Sequence, residues 1–224
     1  MTERNTGRYI ELLAALAASW LALGAASAAE MDAPVNYAGA HLGANSLRDW
    51  NARVDFGFGT AFDGQAELKR GLHGGLQFGR QAGHGRYEVE YERGRIRVQR
   101  LTLAPLSEAV DGSGHYDAVF ANVYRTDRLG DTLDSFVGGG IGWGRVKLPQ
   151  LNLGETCACF GPASKSGFAW QLRAGLAYRI TSLESIALQY TWLNLPKPAR
   201  DGEPSVQYER RRFGALSLGY LRQF

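Results

Sequence analysis

"SGFAWQLRAGLAYRIT", Ser166 to Thr181, alternates from end to end. Phe168, Trp170, Leu172, Ala174, Leu176, Tyr178 and Ile180 fall on one face of an extended chain, and Ala169, Gln171, Arg173, Gly175, Ala177 and Arg179 on the other. Successive side chains of a strand point to opposite faces, so a period of two means a strand with one apolar face. The alternating part runs for about thirteen residues, against about 5–6 in a soluble protein. That is the length of a tilted strand crossing a bilayer with some overhang.

The same pattern recurs on both sides. "SIALQYTWLNL" (185–195) sets Ile186, Leu188, Tyr190 and Trp192 on one face, and "FGALSLGYLRQF" (213–224) sets Leu216, Leu218, Tyr220 and Phe224. "GRYEVEYE" (85–92) opposes Tyr87, Val89 and Tyr91 to Glu88, Glu90 and Glu92. "RGLHGGLQFG" (70–79) opposes Leu72, Leu76 and Phe78 to His73, Gly75 and Gln77. "HYDAVFANVYRT" (115–126) is apolar on both faces, and "VNYAGAHLGAN" (35–45) is a weaker first strand. With "FVGGGIGWGRV" (136–146), eight strands are expected.

Short and long connectors alternate between them. "QAGH", "DRLGD" and "SLES" are tight, whereas 46–67, 98–114, 148–165 and 196–207 are long. Tight turns at one end and long loops at the other are the layout of a transmembrane barrel. The fold expected is all-β, an eight-stranded antiparallel transmembrane β-barrel with up-and-down topology. The last strand must then pair with the first, so that no edge is left in lipid. The second and fourth loops, rich in Pro, Gly and Ser, are expected as mobile surface segments.

The chain opens with Arg4 and Arg8, then an apolar run, then "AASAAE". That is the pattern of a secretory signal peptide over residues 1–29, with the barrel occupying 30–224. Net charge is +3, with basic and acidic residues interleaved. A nucleic-acid partner is not expected, since it would need Lys and Arg clustered on one face.

"FVGGGIGWGRV", "FAWQLRAGLAYRI" with "SIALQYTWL", and the terminal "LSLGYLRQF" resemble the opacity-protein and outer-membrane-protein-A type of eight-stranded barrel. The resemblance covers the whole chain after the leader. It implies the outer membrane of a Gram-negative bacterium, a monomeric barrel, and loops that meet the environment. Roles in that group run from adhesion to envelope support, and catalytic residues are not implied. Gly219 and Phe224 match the terminal signal that such barrels offer to the barrel-assembly machinery, while Arg222 departs from it and is expected to snorkel.

The glycine run does not fit a nucleotide loop. Glycines at i, i+2 and i+5 are needed before a helix, and Trp143 and Arg145 occupy the third position. Gly138, Gly140, Gly142 and Gly144 instead share one strand face, opposite Val137, Ile141 and Trp143. With the second row toward lipid, the first lines the lumen bare. Side chains just fill the interior of an eight-stranded barrel. The bare row is expected to admit large side chains from the strands opposite: Glu88, Glu90 and Glu92 against Gln171, Arg173 and Arg179. Interlocked charges would close the lumen and suppress conductance, because unpaired buried charges cost several kcal/mol.

Cys157 and Cys159 form "CAC" in the third loop. They are expected as a local disulfide, with free thiols or an intermolecular bond as the alternative; a zinc site would need about four ligands. Neither a cofactor nor a metal is implied. Ser113 with His115 is the one Ser/His pair near the outer rim, and it matches no hydrolase motif. Arg210, Arg211 and Arg212 lie where the last strand leaves the outer leaflet, in reach of lipopolysaccharide phosphates. Trp143, Trp170, Trp192, Tyr178 and Tyr220 suit an interfacial aromatic girdle.

The function expected is non-enzymatic, in envelope support or in adhesion to a host or cell-surface ligand. Two other classes compete. A soluble lipocalin-like barrel would need an apolar interior, and a lipid-modifying membrane enzyme would need a catalytic constellation.

Overall fold

The computed structural model describes residues 33–46, 49–104, 106–153, 157–160, 162–200, 205–208 and 212–224, with backbone alone at Leu153, 157–160 and Arg200. The expected leader lies outside these residues. In chain order the strands are β1 (Val35–Ser46), β2 (Trp50–Asp55), β3 (Ala61–Lys69), β4 (Gly71–Ala82), β5 (Gly85–Leu103), β6 (Leu106–Arg128), β7 (Leu133–Leu148), β8 (Leu151–Leu153), β9 (Cys157–Phe160), β10 (Ala163–Arg179), β11 (Glu184–Asn194), β12 (Ala199–Arg200), β13 (Ser205–Tyr208) and β14 (Arg212–Gln223).

Eight of them close a ring in the order β1, β4, β5, β6, β7, β10, β11, β14, every neighbour antiparallel. β14 returns to β1 with Leu218 opposite Leu42, and the Phe224 amide donates to the Asn36 carbonyl at 2.9 Å. No member of the ring keeps an open edge along its shared length, which a strand in hydrocarbon requires. One end of the ring carries tight turns. At the first of them Gly83 takes a φ of 56°, a conformation glycine adopts without strain.

The wall is inside out relative to a soluble protein. Apolar side chains point outward and stay exposed, Leu76 at 65% and Trp143 at 63%. Polar side chains point inward and are buried, Glu90 at 0% and Arg173 at 1%. A continuous exposed apolar belt is stable only against lipid. The ambiguous strand 115–126 resolves with Tyr116, Phe120, Asn122 and Tyr124 inward, and Val119 and Val123 outward.

The other end differs from the loops expected. Residues 98–103 and 106–114 are strand rather than open loop: β5 and β6 continue as one hairpin, paired as far as Leu103 opposite Leu106. The inward row continues too, through Ile96, Val98, Leu101 and Leu103. A register shift between Val98 and Arg100 moves the alternation by one residue. A bulge of this kind hides a long strand from a period-two reading. β3 pairs with the extended β5, β2 with β3, β13 with β2, and β12 with β13. The first and fourth loops are therefore partly sheet as well.

This extension encloses an apolar plug. Trp50 packs at 5.6 Å from Tyr208 and 6.0 Å from Phe213, and Phe213 stacks on Tyr116 at 6.0 Å. Ile96, Leu101, Val146, Leu193 and Val206 complete it. Burial pushes the Tyr208 phenol pKa up, so it stays neutral.

Candidate functional site: a closed lumen

β5 carries Arg86, Glu88, Glu90 and Glu92 on its inward face, two residues apart, and the three carboxylates each anchor one level of the lumen. At the level nearest the tight turns, Glu88 accepts from Tyr37 Oη at 2.8 Å and lies 3.5 Å from Arg86 Nη2. The Arg86 guanidinium sits over the rings of Tyr124 (4.4 Å), Phe136 (4.6 Å) and Tyr37 (5.5 Å). Cation–π attraction is strongest in such desolvated sites.

At the middle level, Glu90 accepts from Arg173 Nη2 at 2.6 Å, Gln171 Nε2 at 2.6 Å and Asn122 Nδ2 at 2.8 Å. Arg173 also donates from Nε to Thr191 at 2.9 Å. Its guanidinium reaches the other two carboxylates more loosely, Glu88 at 3.7 Å and Glu92 at 3.8 Å. At the third level, Glu92 accepts from Tyr116 Oη at 3.0 Å and lies 3.2 Å from His73 Nδ1. The apolar plug begins directly beyond, with Tyr116 shared between the two.

Glu88, Glu90, Glu92, Gln171 and Arg173 thus meet inside the barrel. Arg179 does not join them. It shares their strand phase but sits near the tight turns, with Nε 3.3 Å from Asp134 and Nη2 donating to the Gly130 carbonyl at 3.3 Å. Phase sets the face, whereas distance along a tilted strand sets the level, and Arg179 lies six residues too far along.

The glycine row faces inward, but what fills its space is different from expectation. A β-carbon on Gly140 would collide with Asn122 Oδ1 and lie 2.5 Å from the Ala121 carbonyl oxygen. One on Gly142 would collide with the Val119 carbonyl and reach Phe120 Cδ1 at 2.8 Å, and one on Gly138 would meet Tyr124 Cα at 2.6 Å. The neighbouring strand β6, rather than the opposite wall, occupies the room. Gly144 is looser, with Leu195 Cδ2 at 3.0 Å.

Other candidates scatter. Gly219 faces the lumen opposite His41, and Phe224 is exposed with its ring 6.1 Å from Phe78. Arg222 points outward, 4.0 Å from Glu184. Arg212 lies 5.6 Å over the Trp192 ring, while Arg210 and Arg211 fall outside the described residues. The side chains of Cys157 and Cys159 also fall outside them. Ser113 and His115 share the outer wall of β6 with Asp117, but no hydrogen bond joins Ser113 to His115, and His115 Nε2 is 3.7 Å from Asp117.

Sequence reasoning missed Tyr37, His41, His73, Arg86, Tyr116, Asn122 and Tyr124 as lumen partners. A signal was present for Arg86 and His73, which share strand phase with Glu88 and Gln77.

No protein-family model matches this sequence, and no curated protein matches it. Solved structures do. Neisserial surface protein A superimposes with a TM-score of 0.51 at 14% identity, over 88% of this chain and 100% of that one. The outer membrane protein OprG from Pseudomonas aeruginosa superimposes with a TM-score of 0.56 at 11% identity, over 85% of this chain and 95% of that one. The fold is that of an eight-stranded outer-membrane β-barrel. Barrels of this kind carry tight turns at the periplasmic end and longer segments at the outer end.

Proposed function

We propose that this barrel is a closed, non-enzymatic outer-membrane protein that presents an ordered platform at the cell surface and acts by contact. The observation that carries this is its double closure. Three levels of buried charge and hydrogen bonds fill the lumen at membrane depth, and the apolar plug seals the outer end. A wide aqueous path does not fit such an interior.

The extended hairpins hold a groove of about 630 Å³ lined by Arg53, Asp63, Gln65, Thr102, Lys197, Gln207 and Tyr208. Amides, hydroxyls and both signs of charge suit a polar surface ligand such as a glycan or an extended peptide. Arg212, beside Trp192, is positioned for a lipopolysaccharide phosphate. Insertion by the barrel-assembly machinery and a monomeric state accord with a ring that closes on itself.

The test is deletion of the gene with adhesion and envelope permeability scored together. Attachment should fall and be restored by the wild type, but not by Arg53→Glu with Lys197→Glu. Unchanged attachment with altered uptake of small solutes would overturn the proposal.

A further inference from the structure

The third level of the lumen holds a cluster that the charge network leaves partly unsatisfied. One nitrogen of His41, one of His73 and one carboxylate oxygen of Glu92 all lie within 4.8 Å of one another, and all three residues are buried. Both ring nitrogens of His41, Nε2 of His73 and Oε2 of Glu92 have no hydrogen-bond partner among the described residues. Buried polar atoms are nearly always satisfied, yet here His41 Nδ1 and Glu92 Oε2 have only loose ionic contacts, 3.5 Å to Glu90 and 3.8 Å to Arg173, so the cluster has room for an occupant.

We propose that His41, His73 and Glu92 form a lumenal binding site for a divalent metal of the zinc class. Two imidazoles and one carboxylate with a fourth, open position are a set that zinc accepts, at bonds of about 2.0–2.2 Å. Calcium and magnesium prefer all-oxygen shells. Tetrahedral ligands at that bond length stand about 3.3 Å apart. His73 Nδ1 and Glu92 Oε1 already share a hydrogen bond at 3.2 Å, the spacing two such ligands keep, and metal binding would replace that bond; a nitrogen of His41 lies within 4.8 Å of both residues' ligand atoms.

Two surroundings fit. Metal-bound histidines usually donate their other ring N–H to a carboxylate. Glu90 Oε1 lies 3.5 Å from His41 Nδ1, which leaves Nε2 for the metal. Gly75 also faces the His41 ring, and a β-carbon there would lie 2.6 Å from Cε1 and 3.1 Å from Nε2. The bare position opposite makes room for the ring.

Charge does not oppose a cation. Among the described lumen residues at these three levels, three carboxylates face two guanidiniums, Arg86 and Arg173. With neutral histidines one negative charge is left over. A dication turns that into one positive charge, an imbalance of the same size, whereas a single proton would cancel it. The plug lies directly above, so the metal would enter during folding.

The test uses the full barrel refolded into detergent with Zn²⁺ or Co²⁺ and then dialysed against weak chelator. About one metal per chain is expected in the wild type and in His84→Ala, which alters an exposed histidine. His41→Ala and His73→Ala should retain less than a tenth of that while still showing the heat-dependent gel shift of a folded barrel. If those variants fail to fold, the wild type alone decides. Cobalt bound to it should show the strong visible absorption of a low-coordinate site with histidine ligands. A metal-free wild type, or full retention by either folded variant, would overturn the proposal.

Discussion

Replacing Arg173 with methionine removes the one guanidinium that reaches all three lumen carboxylates, at 2.6 Å to Glu90, 3.7 Å to Glu88 and 3.8 Å to Glu92. It also deletes the donor to Thr191 at 2.9 Å. Volume is nearly kept, so the loss is electrostatic rather than a cavity. Breaking a buried pair from one side costs about 3–5 kcal/mol, because a charge stays buried without its partner. For a domain of typical stability that is a large share of about 5–15 kcal/mol. With a urea slope of about 1–3 kcal/mol per molar, the unfolding midpoint in detergent should fall by at least about 1 M. Adding Glu90→Gln to Arg173→Met should recover much of the loss, since removing both partners is often near neutral. Tryptophan fluorescence and heat-dependent gel mobility report the transition. A single variant within about 0.5 kcal/mol of wild type, the usual range for surface changes, would refute the network as a structural element.

Gly140→Leu and Gly142→Val should prevent refolding into the gel-shifted form, whereas Gly144→Ala, whose new methyl is crowded at 3.0 Å by a flexible leucine end and otherwise makes ordinary contacts with Ala169 and Pro196, should refold as wild type. Trp50→Ala should cost about 3–5 kcal/mol by emptying the plug. Limited proteolysis should then cut the outer hairpins while the membrane-level barrel stays intact. Arg212→Glu, at an exposed position beside Trp192, should leave stability unchanged and weaken co-purification with lipopolysaccharide.

The barrel was legible because its physics is repetitive. A belt that meets lipid on one side and polar groups on the other writes itself as alternation in β10, β11 and β14, and the turn end followed from short connectors. The lengths of β5 and β6 were not legible. A one-residue bulge near Gln99 shifts the phase, so the inward run from Ile96 to Leu103 does not read as a continuation. Within the lumen, the face of Glu88, Glu90, Glu92 and Arg173 follows from phase. Their partners do not: which residue of β4 or β6 stands level with each carboxylate depends on register, and Tyr37 and Thr191 come from strands remote in sequence. His41 and His73 approach each other only once β1 and β4 are in register, with His41 opposite Gly75 and Gly43 opposite His73. Arg179 shows the same limit from the other side: right face, wrong level.

Closure of the lumen is the claim on which the surface role rests, and planar-bilayer recording of the refolded full chain measures it directly. Wild-type protein should show no steady channel at moderate voltage, because Glu90 and Arg173 are sealed from water and the plug lies above them. Stable, well-defined open channels from correctly folded protein would contradict the account.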